Sequence, residues 1–323
     1  MTVKERLLPM LFESRDRFIS GEEAAEKLGV SRTAVWKAIA SLKDDGYKIT
    51  AVTNKGYRLE DGCDVLSKTE IEKFAGSLAD RLNITVKQTV TSTNAVLKEK
   101  ADGLSEGTVL IASEQTSGRG RFTRKFYSPS GSGIYMSIFL RPSLSASDSV
   151  LITTAAAAAV ALAAEELSGR KTGIKWVNDV LIGGKKICGI LTEAALDIES
   201  GKLNYAVLGI GLNAYKPDGG FPDEMKDIAG AIFEKKGGSL KNQLAARVLT
   251  YFFRFYDTLE RRDFLKIYRE KSVVTGKKIL VVSADKKIPA TAIGIDEDCR
   301  LEVLYDDGRK EFLSSGEIST KLL

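Results

Sequence analysis

The residue pattern changes twice along this chain, and these changes constrain its fold more than any other feature of the sequence. The first part has helical spacing followed by a hairpin pattern, the middle alternates strand-like and helical runs, and the end holds short strand-like runs only. The 323 residues are enough for about two domains, or three where small modules flank a larger one. We therefore predict an α+β protein with domains over residues 1–62, 68–270 and 272–323.

The N-terminal region has the spacing of a winged helix-turn-helix. Residues 21–28 (GEEAAEKL) and 31–43 (SRTAVWKAIASLK) are helical in pattern and are separated by Gly29 and Val30. The segment YKITAVTNKGYRL that follows alternates as two strands around a turn at residues 54–56. This order of elements predicts a two-stranded wing behind the second helix, with a linker over residues 60–67.

Charge in this module points to DNA. Residues 1–66 carry no net charge, yet residues 27–58 hold seven basic and two acidic side chains. We predict DNA contacts on the second helix and at the wing tip, from Ser31, Arg32, Thr33, Lys37 and Lys55. The inward face is predicted to hold Ala34, Val35, Ile39 and Leu42, with Trp36 also in the core or at a helix contact. The alternative is a module that mediates only protein contacts.

The composition excludes several kinds of chemistry and location. The chain has no histidine, which rules out imidazole bases, Ser-His-Asp triads and histidine zinc sites, and we predict no protein metal ligands. Its three cysteines are widely separated and odd in number, a pattern typical of reduced thiols in the cytoplasm. Neither a secretory signal nor a membrane anchor is predicted, because the apolar run at residues 152–164 is alanine-rich and shorter than the ~20 residues that span a bilayer.

Two segments of the middle region carry the residues suited to anion chemistry. Residues 116–127 (TSGRGRFTRKFY) combine two glycines with four cations, and arginine forks with pliable backbone suit a carboxylate or a phosphate. The second segment reads IKWVND and continues into KICGILTE, where Lys186 enters an apolar strand. Taken alone, a solvated basic hairpin, snorkelling lysines and an ordinary turn would explain these residues as well.

Five motifs in order resemble those of one enzyme family. TSTN (91–94), GRGRxxRxF (118–126), KWVND (175–179), KKICGIL (185–191) and GIGLN (209–213) are similar to the motif series of biotin protein ligases. With the winged helix in front and the small β module behind, the whole chain resembles the bifunctional biotin protein ligases that also repress the biotin operon. The resemblance implies a catalytic domain like that of class II aminoacyl-tRNA synthetases and an SH3-like C-terminal barrel.

The resemblance also implies a reaction and its participants. Members of this family activate biotin with MgATP to biotinyl-5'-AMP and transfer biotin to a lysine of the biotin carboxyl carrier protein of acetyl-CoA carboxylase. It therefore implies biotin, ATP and Mg²⁺ as cofactors, and operator DNA, a carrier protein and a second copy of the chain as partners. No histidine is needed for such chemistry.

The site residues follow from the same motifs. Lys186 and Arg121 would act in catalysis. The residues implied for biotin are Ser92, Thr93, Asn94, Gln115, Arg119, Gly120, Arg121 and Lys186. Those implied for ATP are Arg124, Phe126, Lys175, Asn178 and Asn213.

The sequence departs from the family pattern at three positions and leaves two alternatives open. Thr123 replaces a glycine, Phe126 a tryptophan and Val177 a proline, and none of these changes removes a charge that the chemistry needs. One alternative is a lipoate ligase-like acyl-adenylate transferase. The other is a biotin-sensing transcription factor without ligase activity, which the retention of Arg119, Arg121 and Lys186 argues against.

Overall fold

A computed structural model describes residues 2–14, 16–60, 63–122, 124–197, 199, 201–283, 286–314 and 317–319. The N-terminal module contains three helices and a hairpin: α1 (Val3–Glu13), α2 (Gly21–Leu28), α3 (Arg32–Asp44), β1 (Ile49–Val52) and β2 (Gly56–Leu59). Ser31 caps α3 by accepting a hydrogen bond from the Ala34 amide at 3.2 Å, and Gly29 ends α2 with a positive φ of 63°. The predicted helix-turn-helix and wing are present, and α1 is an element that the sequence pattern did not delimit.

The prediction for Trp36 is wrong. Its side chain is 60% exposed, whereas Val35, Ile39 and Leu42 are buried as predicted and Ala34 is only half-buried. The helical period explains the difference, since buried Ala38 continues the inward stripe and Trp36 falls on the opposite face.

The middle of the chain forms a mixed sheet with helices on both faces. Its helices and strands are α4 (Lys68–Ala75), β3 (Asn83–Val90), α5 (Thr93–Glu99), β4 (Thr108–Gln115), β5 (Gly133–Leu140), α6 (Ser149–Ser168), β6 (Thr172–Lys175), β7 (Asp179–Ile182), β8 (Lys185–Leu196), β9 (Leu203–Asn213), α7 (Leu240–Tyr256) and α8 (Leu265–Glu270). The seven strands lie in the order β3-β4-β5-β9-β8-β7-β6, and β3 pairs with β4 in parallel while the other pairs are antiparallel.

The alternation of side chains along these strands separates a core face from a site face. Val109 and Ile111 of β4 join the main core with α6, whereas Leu110 between them packs toward α5 on the other face. Helix α6 is apolar and long enough to cross a membrane, but 67% of its apolar window is buried inside the fold. The alanine-rich run thus packs against the sheet.

The C-terminal module is a five-stranded antiparallel sheet. It contains β10 (Lys278–Ser283), β11 (Lys286–Ile295), β12 (Leu301–Tyr305), β13 (Lys310–Leu313) and β14 (Glu317–Ser319), in the order β13-β12-β11-β10-β14. Its buried residues Ile279, Val303 and Leu313 belong to the same hydrophobic core as the central sheet and α6. The N-terminal module instead has its own core, formed by residues such as Leu7, Val35 and others up to Cys63.

The predicted linker is packed where the structure describes it. Within residues 63–67, the side chains of Cys63, Asp64, Leu66 and Ser67 are all less than one-tenth exposed. Asp64 accepts hydrogen bonds from the Tyr215 hydroxyl and, at 2.9 Å, from the Lys241 amide. The Asn242 side chain bonds the backbone of Val65 and Ser67 at 2.8 Å each. We call residues 63–67 with Tyr215, Lys241 and Asn242 the junction.

Candidate active site

A cavity of about 580 Å³ opens on the site face of the sheet, between α5, the loop after β4 and the turn before β7. Twelve of the thirteen residues predicted for biotin or ATP line it: Ser92, Thr93, Asn94, Gln115, Arg119, Gly120, Arg121, Arg124, Phe126, Lys175, Asn178 and Lys186. The thirteenth, Asn213, does not line it; its side chain donates to the Lys186 carbonyl at 3.3 Å. The structure thus brings these residues together, while their individual roles stay predictions.

Paired glycines form the floor of the cavity. Gly189 of β8 lies opposite Gly211 of β9 in the ladder, and the Phe126 ring rests on both. A Cβ at Gly211 would overlap this ring, and one at Gly189 would lie 2.9 Å from it. The ring also meets Tyr135 edge to face, with centroids 6.4 Å apart. The two glycines therefore leave the space that the Phe126 ring occupies.

One end of the cavity is lined by uncharged polar side chains that are joined by hydrogen bonds. The Gln115 side-chain carbonyl accepts from the Thr93 amide at 2.9 Å and from its hydroxyl at 3.1 Å. The Ser137 hydroxyl lies 2.6 Å from both Thr93 Oγ1 and Asn94 Oδ1. Asn94 Nδ2 in turn donates to Glu193 at 2.9 Å, and Glu193 pairs with Lys98. The Asn94 amide is therefore committed to protein groups on both of its sides.

The other end of the cavity is cationic. Lys186 Nζ lies 2.5 Å from Asp179 Oδ1, and Arg121 donates to Asn178 Oδ1 at 3.3 Å. The loop that carries the remaining cations folds as a tight hairpin, in which the Gly120 amide donates to the Arg124 carbonyl at 2.7 Å. Thr123 lies outside the described residues. Arg119, Arg124 and Lys125 are exposed at the mouth of the cavity, so an anion could approach them from solvent.

The turn between β6 and β7 carries Asn178 and Asp179. Asn178 Nδ2 donates to the Ile190 carbonyl at 2.8 Å, and the Trp176–Val177 peptide bond is cis. The Trp176 side chain is buried, and its Nε1 donates to the Cys299 carbonyl at 3.0 Å. The turn is thus fixed to the sheet on one side and to the C-terminal module on the other.

The cysteines are unsuited to act as nucleophiles. All three are buried, and burial raises the pKa of the Cys299 thiol to about 11 and that of Cys188 further. A protonated, enclosed thiol cannot attack a ligand. The sequence likewise predicted ordinary reduced thiols.

Sequence reasoning missed three residues of the site. Ser137 and the ionised Glu193 hold the uncharged groups at the neutral end, and Asp179 was quoted within KWVND but was not assigned a role. Ser137 was detectable in principle, since it is the one polar residue in the otherwise apolar run GIYMSIFL and shares its strand face with Tyr135. Glu193 is the last residue of the segment KICGILTE. It was given no role because it lies in β8 beyond the motif KKICGIL.

The predicted DNA-binding residues are exposed on the N-terminal module. Arg32, Thr33 and Lys37 project from α3, and Lys55 is exposed at the wing tip. Trp36 lies among the α3 residues, and the Ser31 hydroxyl serves as the helix cap. The positive and aromatic groups of this face have the distribution of a surface that meets a phosphate backbone.

The fold and the cavity together define a class of protein. An N-terminal module of the DNA-binding type is joined to a domain of the ligase type, and the cavity of that domain can bind an anion. Residues 3–58 match a helix-turn-helix domain, residues 85–213 the biotin/lipoate A/B protein ligase family and residues 274–321 the biotin protein ligase C-terminal domain. The bifunctional ligase/repressor BirA of Bacillus subtilis is 33% identical over 97% of this chain and 98% of its own length.

Two further proteins similar to this chain have the same kind of name. The BirA protein of Escherichia coli is 28% identical over 99% of this chain and 98% of its own. A biotin protein ligase from Aquifex aeolicus in complex with biotin and ATP is 28% identical, with a TM-score of 0.61 over 73% of this chain and 97% of that one. The chain belongs to the family of bifunctional biotin protein ligases and repressors.

Proposed function

We propose that this protein activates biotin with MgATP to biotinyl-5'-AMP, transfers biotin to a lysine of a biotin carboxyl carrier protein, and represses biotin genes as a DNA-bound dimer. The observation that carries the enzymatic part is the single cavity with a neutral hydrogen-bonding end and a cationic end. A molecule with a polar, uncharged head and a carboxylate tail matches this arrangement, and the nucleotide would occupy the side of Arg124, Phe126 and Asn178.

The cationic end suits the first half-reaction. A carboxylate oxygen of biotin attacks the α-phosphorus of ATP, an acyl–phosphate bond forms, and pyrophosphate leaves with the electron pair of the broken bond. Both reactants are anions, so their mutual repulsion is a large part of the barrier. Lys186 and Arg121 would offset it, and Asp179 and Asn178 hold these two side chains in position.

The second half-reaction needs access more than charge. The neutral lysine amine of the carrier protein attacks the acyl carbon, AMP departs with the bonding pair, and the amine releases one proton to solvent as the amide bond forms. The exposed mouth beside Arg119 and Lys125 would admit an extended lysine side chain.

Magnesium would enter with the triphosphate. Among the described residues no cluster of three metal-binding side chains occurs, and the cavity lining holds two carboxylates, Asp179 and Asp227. Mg²⁺ in nucleotide sites is held largely by substrate phosphates and water with one or two carboxylates, so this donor set suits MgATP.

Mass detection of an acyl-adenylate tests the enzymatic proposal. The protein is incubated with MgATP and either biotin or lipoate, and a biotin carboxyl carrier domain is then added. We expect biotinyl-AMP and a biotinylated carrier. Formation of lipoyl-AMP alone would establish the lipoate ligase alternative, and absence of any adenylate despite biotin binding would establish the sensor without ligase activity.

The repressor proposal rests on α3 and the wing. One winged helix makes few contacts, whereas a two-fold dimer places two recognition helices on half-sites and roughly doubles the phosphate contacts. Band-shift titrations should show operator affinity that rises with biotin plus ATP and falls when the carrier domain competes for the loaded protein. Equal DNA affinity with and without the ligands, at concentrations that span the dimer transition, would refute the coupling.

The finer fold assignments and the location belong to the same proposal. We assign the central domain to the class II aminoacyl-tRNA synthetase type and the C-terminal sheet to the SH3-like type, with domain limits at residues 1–62, 68–270 and 272–323. We propose a cytoplasmic location, which the three free cysteines and a carrier protein of acetyl-CoA carboxylase as the acceptor support.

A further inference from the structure

The turn that carries Asn178 and Asp179 is held from behind by residues outside the cavity. The backbone of Ile174 donates to the Lys271 carbonyl at 2.7 Å and accepts from the Val273 amide at 2.9 Å. Next along the turn, Trp176 donates to the Cys299 carbonyl at 3.0 Å. Lys175, Trp176, Asn178 and Asp179 of this segment all line the cavity.

Tyr268 supplies the tether closest to the site. This side chain lies on α8 with no exposed surface, and its hydroxyl donates to the Val177 carbonyl at 3.0 Å. Burial raises the pKa of the phenol well above its usual value, so the group stays a hydrogen-bond donor throughout the working pH range. Val177 directly precedes Asn178, and its carbonyl therefore sets the direction in which the chain enters the cavity.

Helix α8 and the Cys299 turn are themselves held together. Arg269 of α8 donates to the Ile295 carbonyl at 2.7 Å and pairs with Glu297 at 2.9 Å. Arg262 pairs with Asp298 at 3.0 Å. The two anchors of the 174–177 segment thus form one rigid support that spans the catalytic domain and the C-terminal module.

We propose that Tyr268 is a positioning residue for the nucleotide side of the site, and that through Tyr268 and the Trp176–Cys299 hydrogen bond the C-terminal module sets the orientation of Asn178 and Asp179. Tyr268 lies outside the cavity lining and is not expected to touch a substrate, whereas Trp176 is part of the lining. Asn178 bonds Arg121 and Asp179 pairs with Lys186, so a shift of the turn moves the two cations proposed to meet the phosphates. Biotin recognition at the neutral end depends on other elements. This inference rests on the proposed function for its substrates.

The test uses the full chain with Tyr268→Phe, which removes the hydroxyl and keeps the ring. We expect the calorimetric Kd for MgATP and the KM for ATP in adenylate formation to rise about five- to tenfold, because a buried carbonyl loses its donor and the turn relaxes. The Kd for biotin should stay within twofold. Trp176→Phe, which removes only the indole donor and part of the ring, should act in the same direction.

A matched control is available on another helix. Tyr256→Phe removes a hydroxyl that donates to Glu106 at 2.6 Å, away from the cavity lining, and should change neither affinity. An unchanged ATP affinity in both Tyr268→Phe and Trp176→Phe would overturn the proposal. So would a parallel loss of ATP and biotin affinity, which would indicate general loosening. If the wild-type protein binds MgATP but forms no biotinyl-adenylate, the proposed function fails while the affinity comparison still decides this inference.

Discussion

At the scale of single residues, a comparison of two neighbouring lysines distinguishes the effect of a charge in the site from that of a charge on the surface. Lys186 is half-buried and pairs with Asp179 in the cavity, whereas Lys185 is exposed and its ammonium donates to the Lys226 carbonyl at 3.0 Å. Lys186→Ala should slow single-turnover adenylate formation by about 100-fold or more, with a much smaller change in biotin affinity. Rapid-quench assays with labelled ATP measure the first quantity and calorimetry the second.

Lys185→Ala is the control for that variant and should leave both quantities near the wild-type values. Adenylate formation that is equally fast in Lys186→Ala and the wild type would contradict a role for this charge in the transition state.

The neutral end of the cavity gives a second prediction for a single residue. Ser137 has no exposed surface and touches both Thr93 and Asn94. Ser137→Ala removes these hydrogen bonds and should weaken biotin binding by about tenfold, with little effect on ATP binding. Ser168→Ala, which removes a hydroxyl bonded within α6, is the matched control. A larger effect on ATP than on biotin would place the network at the wrong end of the site.

Single residues were predictable from the sequence where a charge made them conspicuous. Arg121 and Lys186 stood out because a cation in a glycine-rich loop or an apolar strand needs an anionic partner. Ser137 and Glu193 were missed because their partners come from distant strands and helices that only the fold brings near. Trp36 was misplaced because its size outweighed its position in the helical period.

At the scale of elements, the pairing of Gly189 in β8 with Gly211 in β9 determines where the arginine-rich loop of residues 118–126 can lie. The Phe126 ring occupies the space above Gly211, so Gly211→Ala should displace the ring and the loop attached to it. We expect the KM for ATP to rise about tenfold, and more than the KM for biotin. Gly103→Ala, at a glycine with open space around it, should have no such effect. A normal ATP KM in Gly211→Ala would show that the ring is not needed where it lies.

The elements themselves were predictable where caps and turns are local. Ser31, Gly29 and Gly56 marked the limits of α3, α2 and β2 because caps and left-handed positions are fixed by neighbours in sequence. The strand order of the central sheet was not predictable, since β5 pairs with β9 across about seventy residues of chain. Helix α1 and strand β14 also escaped, although Thr2 and Glu5 form a capping box at the start of α1.

At the scale of the whole molecule, the hydrophobic cores do not follow the three sequence regions one for one, since the small third cluster between α5 and the sheet lies within the central region. The N-terminal module has a core of its own, whereas the central sheet and the C-terminal sheet share one. Urea denaturation should therefore show two cooperative transitions, and biotin plus ATP should raise the midpoint of only the transition that belongs to the shared core. Circular dichroism and the fluorescence of exposed Trp36 against buried Trp176 distinguish the two. A third transition would contradict a shared core.

The junction decides how the protein can be divided. The positions of the ligase motifs alone predict that removal of residues 1–66 abolishes DNA binding and leaves ligase activity, but this cut also deletes Asp64 and Val65, which bond Tyr215, Lys241 and Asn242. A fragment that begins at residue 63 should melt higher than one that begins at residue 67, by roughly 2–4 °C for each kcal/mol retained. Both should lose DNA binding. Equal melting temperatures would show that the junction contributes nothing to stability.

The shared core also has a consequence for synthesis on the ribosome. In the part of the chain that the structure describes, the hydrophobic residues of the N-terminal core lie within the first 65 residues, so this module can fold while the rest of the chain is still being made. The central sheet has no such freedom, because Val303 and Leu313 complete the apolar interior that it shares with the C-terminal strands. For most of translation the nascent chain would carry a finished DNA-reading module tied to an open apolar sheet, and the catalytic cavity would take shape only when the last strands emerge.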